Sequence, residues 1–242
     1  MVLSNTKIVL FMLSLAMSLA GWSHAQTAPK DPEAALSLDD VFEGMNAAAA
    51  QFRSVSAELE YTKVTVIVDD HSTETGMIYF EKSKGRPRVM LAFLNPAEKY
   101  VLFDDGTVSI YRPKIATIEE YSIARNQGLL EQFLLLGFGT PGSDLQKNYQ
   151  VSLKGRESLD GEPAVLLELL PKSSEVSTRL QRIELWLSPG SWQPLQQKFF
   201  EPSKDYLIAR YRNSQPNAKL PSDSFKLPVK GKVRTVRPQS GN

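Results

Sequence analysis

Few side chains in this sequence could do chemistry. His71 stands in Val68-Asp69-Asp70-His71-Ser72, where two carboxylates and an imidazole could hold a metal or move a proton. The second histidine, His24, falls within the first 25 residues, and the chain contains no cysteine. Cysteine-bearing zinc clusters and Cys/His nucleophile pairs are thereby excluded. Polar residues between two strand-like runs are ordinary hairpin chemistry, and the Asp-Asp-His run is read as a turn. No glycine-rich phosphate loop is present. The residues therefore predict no enzyme, no metal and no cofactor.

The chemistry on offer is apolar instead. Met77-Ile78-Tyr79-Phe80, Val89-Met90-Leu91-Ala92-Phe93-Leu94 and Val101-Leu102-Phe103 place bulky groups on both faces of their strands. Two arrangements satisfy such strands. One is a sheet with helices on one side and a partner layer on the other. The other is a strongly curved sheet whose concave face encloses an apolar cavity, with helices closing its mouth. Met45, Met77 and Met90 suit a wall that repacks around variable acyl chains. Periodicity alone leaves both arrangements open.

The elements that must position these residues follow from the order of patterns. Lys7, the apolar run Ile8 to Ala20 and the small residues of Ser23-His24-Ala25 read as a secretory signal peptide over 1–25, cleaved after Ala25. Spanning a bilayer takes about 20 apolar residues, so the run is too short for that. A periplasmic location and a flexible leader over 26–35 are expected. Leu38, Val41, Phe42, Met45, Ala49 and Phe52 then form one face of a helix, with Ser37 as its N-cap. From Ser54 the period becomes two, and the apolar parity shifts near Thr62-Lys63, which predicts a bulge or a change of buried face. Strands are predicted at 75–82, 88–94, 99–104, 108–112 and 115–122, with Asp105-Gly106 as a hairpin turn. A short apolar helix is predicted over 125–138. Strands resume at 149–158, 164–170, 179–187, 194–200 and 206–212. Sequential strands with tight turns predict an antiparallel meander in one domain over 36–236, followed by a polar tail over 237–242.

Charge bears on partners. The chain has 28 basic and 27 acidic side chains, and removing the signal takes away only Lys7. Such a balance argues against nucleic acid. Its distribution is uneven: Lys226, Lys230, Lys232, Arg234 and Arg237 lie beyond Phe225 with no acid among them. That strip is either a solvated tail or a surface that meets an anionic membrane or an acidic partner.

The order of segments resembles the LolA family of periplasmic lipoprotein carriers over roughly Leu36 to Val236. The resemblance rests on Phe52-Arg53-Ser54-Val55-Ser56-Ala57 after the first helix, and on Gly76-Met77-Ile78-Tyr79-Phe80. It continues in Asp105-Gly106 followed by Tyr111-Arg112-Pro113, in Leu134-Leu135-Leu136-Gly137, and in Leu220-Pro221 with Phe225 and Pro228. It implies a mainly β (α+β) fold, a curved antiparallel incomplete β-barrel with helices capping an apolar cavity. The implied activity is to receive acylated lipoproteins from an inner-membrane ATP-driven exporter and pass them to an outer-membrane acceptor, as a monomer. The alternative is a related module that binds or senses another lipid or lipoprotein. The expected cavity residues are Phe42, Met45, Ile78, Phe80, Met90, Leu91, Phe93, Val101, Phe103 and Leu134. The family places an arginine before proline after its Gly-x-Ile strand to tie barrel to lid. Here Lys82 stands in that register and Arg86-Pro87 follows later, so Lys82 or Arg86 is expected to supply the tie.

Overall fold

A computed structural model describes residues 36–83, 86–122 and 136–238. The predicted signal peptide and leader, most of the predicted 125–138 helix with Leu134, and the last four residues of the tail lie outside the described residues.

Helix α1 (Leu38–Gln51) begins where the sequence places it. Ser37 and Asp40 form a reciprocal capping box, with the Asp40 amide donating to Ser37 Oγ at 3.1 Å and the Ser37 amide to Asp40 Oδ2 at 2.9 Å. Its apolar stripe buries Val41, Phe42 and Met45, and the chain leaves through the buried Phe52.

Twelve strands form one curved open sheet. The first meander comprises β1 (Ser54–Thr65), β2 (Asp70–Ser83), β3 (Arg86–Asn95), β4 (Lys99–Asp104), β5 (Thr107–Arg112) and β6 (Thr117–Ser122). The second comprises β7 (Tyr149–Leu159), β8 (Glu162–Pro171), β9 (Arg182–Leu187), β10 (Pro194–Phe200) and β11 (Tyr206–Pro216). Pairing of β1 with β11 joins them into the order β12-β6-β5-β4-β3-β2-β1-β11-β10-β9-β8-β7. Every pairing is antiparallel except at one edge, where β12 (Arg234–Val236) runs parallel to β6. Asp105-Gly106 and Asp160-Gly161 turn their hairpins with positive φ at both positions, the type I′ geometry that matches strand twist.

Several expectations are corrected in detail. The Thr62-Lys63 parity shift is a change of buried face, since Val64 is buried while β1 pairs with β2 unbroken from Ser54 to Thr65. The β1 irregularity lies instead between Ser56 and Glu58, against β11. Val66–Val68 is a 3-10 turn, so the hairpin tip precedes His71, which sits in β2. Helix α2 (Gly142–Asn148), the single turn α3 (Ser174–Ser177) and strand β12 lack sequence signals strong enough to be expected. All three are short, and each contains a single apolar residue: Leu145, Val176 and Val236.

Two apolar clusters line the inner face. One packs α1 and α2 on β8 and β9 through Val41, Phe42, Met45, Leu145, Leu167 and Leu185. The other gathers Phe52, Leu59, Ile78, Phe80, Phe93 and Tyr211 over β1, β2, β3 and β11. On the outer face, β7 breaks register between Leu153 and Gly155. Beyond the break its hairpin engages neighbouring strands: Trp186 Nε1 donates to Glu157 Oε2 at 2.8 Å, and Asp160 pairs with Arg210 at 2.7 Å.

Candidate functional site

A cavity of about 320 Å³ opens from the inner face where the two meanders meet. Leu59 and Tyr61 of β1, Ile78 of β2 and Leu91 of β3 form one wall. Gln197 and Phe199 of β10 with Leu207, Ala209 and Tyr211 of β11 form the other, and Leu180 completes it. The lining is almost wholly apolar. Two charged residues, the exposed Arg179 and the half-buried Glu201, mark its solvent side. A space of this size and composition stays favourable for apolar ligands, because water inside it finds few partners.

Its polar exception is well satisfied. The Tyr211 hydroxyl donates to Gln197 Oε1 at 2.9 Å, and Gln197 Nε2 donates to the Leu136 carbonyl. Burial, reinforced by Tyr61, pushes the Tyr211 hydroxyl far above its ordinary value, so it remains a donor. Tyr61 is likewise raised, chiefly by burial and then by the carboxylates of Glu74 and Glu201.

The Gln197 contact also seats the stretch 136–140 on the sheet. Leu136 belongs to one apolar cluster and Phe138 to the other, so this stretch bridges them. The Phe138 ring meets Tyr211 edge-on at 4.8 Å. Lys82 Nζ donates to the Gly139 carbonyl at 3.5 Å, and the Lys82 amide to Arg53 O at 2.7 Å.

The expected cavity residues are distributed as follows. Ile78 and Leu91 line the cavity. Phe80 and Phe93 belong to the apolar cluster that Ile78 shares, and the half-buried Val101 and Phe103 pack against it; none of the four lines the cavity. Phe42 and Met45 belong to the neighbouring cluster beneath α1. Met90 lies on the opposite face, because strand alternation places it with Arg88, whose guanidinium stacks 4.5 Å from the Phe225 ring centroid. Leu134 and the Arg86 side chain lie outside the described residues. Sequence reasoning missed the β10–β11 wall. Leu207, Ala209 and Tyr211 alternate visibly, but their facing β1 depends on a pairing some 150 positions away in sequence.

Among the described residues no group of His, Asp and Glu could hold a metal. His71, at the start of β2, places its Nε2 atom 3.2 Å from Oδ1 of the exposed Asp69 in the adjoining turn.

No family model matches the sequence, and no curated protein matches it. Solved structures do. MucB superposes with a TM-score of 0.52 at 20% identity, over 81% of this chain and 65% of MucB. This chain shares the MucB fold. It spans about two thirds of the MucB chain, and MucB has also been crystallised in complex with MucA. An uncharacterised conserved protein of Thermus thermophilus matches at TM-score 0.50 and 12% identity, over 84% of this chain and all of that one. A LolA superfamily protein of Nitrosomonas europaea is similar at TM-score 0.38 and 14% identity, over 80% of this chain and 99% of that one. The open curved sheet of this chain is the architecture the sequence leads one to expect, and no helix of the described residues is long and apolar enough to cross a membrane.

Proposed function

We propose that this chain is a periplasmic carrier that shelters acyl chains of lipoproteins in the β1–β11 cavity during transfer from the inner to the outer membrane. The apolar cavity carries this reading. Each buried methylene is worth about 0.8 kcal/mol, so a chain of roughly ten methylenes gains about 8 kcal/mol there relative to water. The cavity volume of about 320 Å³ is at the lower end for ligand pockets. A cargo with more than one acyl chain therefore requires the cavity to widen. The stretch 136–140 is the element to release, and its polar ties to the sheet are Lys82, through the Gly139 carbonyl, and Gln197, through the Leu136 carbonyl. The exporting ATPase, the outer-membrane acceptor and monomeric action belong to the same proposal, as does cleavage after Ala25.

The test mixes the exported protein with membranes containing a triacylated lipoprotein and its exporter. ATP is expected to release lipoprotein into a soluble complex with this chain; membranes that retain all lipoprotein would refute the carrier reading. A second reading, a module that senses a lipid and answers through a protein partner, draws on the likeness to MucB. It predicts uptake of an acyl probe with no ATP-driven release.

A further inference from the structure

We infer that the β12 edge of the sheet is a docking surface for an anionic lipid bilayer. The Arg234 amide donates to the Ala116 carbonyl at 2.9 Å, which lays the basic C-terminal stretch beside the β5–β6 turn. The turn itself exposes Lys114 and Ile115, the latter 60% accessible. The incoming stretch adds exposed Val229, Lys230, Lys232 and Arg234. Lys114, Lys232 and Arg234 thus gather at one edge with the exposed Ile115, and Val229 and Lys230 lie on the stretch that leads into it.

The acids of this edge are already engaged. Glu119 binds Arg112 at 2.7 Å and accepts from Tyr121 at 2.9 Å, while Glu120 binds Arg237 at 2.8 Å. Among the described residues, Lys114, Lys230, Lys232 and Arg234 have no carboxylate within ion-pair distance. An uncompensated cationic edge studded with isoleucine and valine matches the headgroup boundary of an anionic membrane, where cations meet phosphates and aliphatic groups enter the acyl layer. Nucleic acid would use the cations but offers no place for Ile115 and Val229. Of the other exposed aliphatic side chains, Val66, Ile67 and Val68 share the β1–β2 tip beside Asp69 and Asp70 and lack this charge match, as do Leu94 and Leu170, whose immediate sequence neighbours are uncharged.

The inference goes beyond the carrier reading and stands on surface chemistry alone. It is tested by co-sedimenting the exported protein, free of residues 1–25, with vesicles of phosphatidylglycerol and phosphatidylethanolamine, and with vesicles of phosphatidylcholine. Binding is expected to the anionic vesicles only and to vanish in 0.5 M salt. Each cation near such a surface is worth about a fivefold change in partitioning. The double variant Lys232→Glu/Arg234→Glu should therefore bind at least about 25-fold more weakly. Lys114→Glu/Lys230→Glu, outside β12, should do the same if the strand variant fails to fold. Ile115→Asp should weaken binding severalfold with its salt dependence retained.

Equal binding to both vesicle types, no binding by the wild type, or unaltered binding by folded variants would overturn the inference. So would a preference for polyglutamate that Ile115→Asp leaves intact, since that assigns the edge to an acidic protein. Cooperative thermal unfolding followed by circular dichroism reports folding of each variant, and uptake of a soluble fluorescent fatty acid, measured without vesicles, reports the cavity. Its absence in the wild type would count against the cavity alone.

Discussion

Gln197 shows how one polar side chain can organise an apolar cavity. It is 2% exposed, accepts from Tyr211 and donates to the Leu136 carbonyl, so neither of its polar atoms is wasted in a dry site. Tyr211→Phe removes the donor and leaves Gln197 Oε1 unpaired, which should cost about 1–3 kcal/mol of stability in urea titration. The pH dependence has a definite sign. Tyr211 and Tyr61 hold their protons above the ordinary tyrosine value of 10.0 when folded, whereas the unfolded chain releases them near it. The folded state then binds more protons, so stability falls as pH rises through about 10 and beyond. Tyr211→Phe should flatten that alkaline decline; an unchanged slope would show that Tyr211 ionises normally. The residue pattern does not announce Gln197, because a glutamine in a strand reads as a solvent-facing position until its partner strands are known.

At the scale of elements, α1 was readable from its 3.6-residue stripe and Ser37 cap, because both are local. The hairpin turns at Asp105-Gly106 and Asp160-Gly161 were readable for the same reason. What locality hides is close approach between elements. Gly44 reads in sequence as a weak spot in α1, yet a Cβ built there would lie 2.2 Å from the Trp192 indole. Gly76 is equally constrained, with Ala92 O only 1.9 Å from its would-be Cβ, where β2 and β3 shift register. Helix propensity alone predicts that Gly44→Ala stabilises by about 1 kcal/mol. Overpacking against Trp192 predicts the opposite, a net loss of about 1–3 kcal/mol. Denaturant unfolding decides between them, and Trp192→Ala in the same background should recover part of the loss. Removing the α1 cap by Ser37→Ala should cost about 1 kcal/mol in the same assay.

At the scale of the molecule, the antiparallel meanders were visible as alternating strands, while their union through β1 and β11 was not. That long-range pairing creates the cavity, whose β10 and β11 wall no local sequence pattern announces. It also explains Phe42 and Met45, which face the core beneath α1 because α1 and α2 sit over β8 and β9. Acyl-chain binding by the cavity is read by native mass spectrometry of the exported protein. Adducts with acyl-lipid masses are expected on the wild type, and Leu91→Asp should lose them while remaining folded. A wild type that carries no such adduct, and gains none when incubated with a long-chain fatty acid, has no acyl-binding cavity.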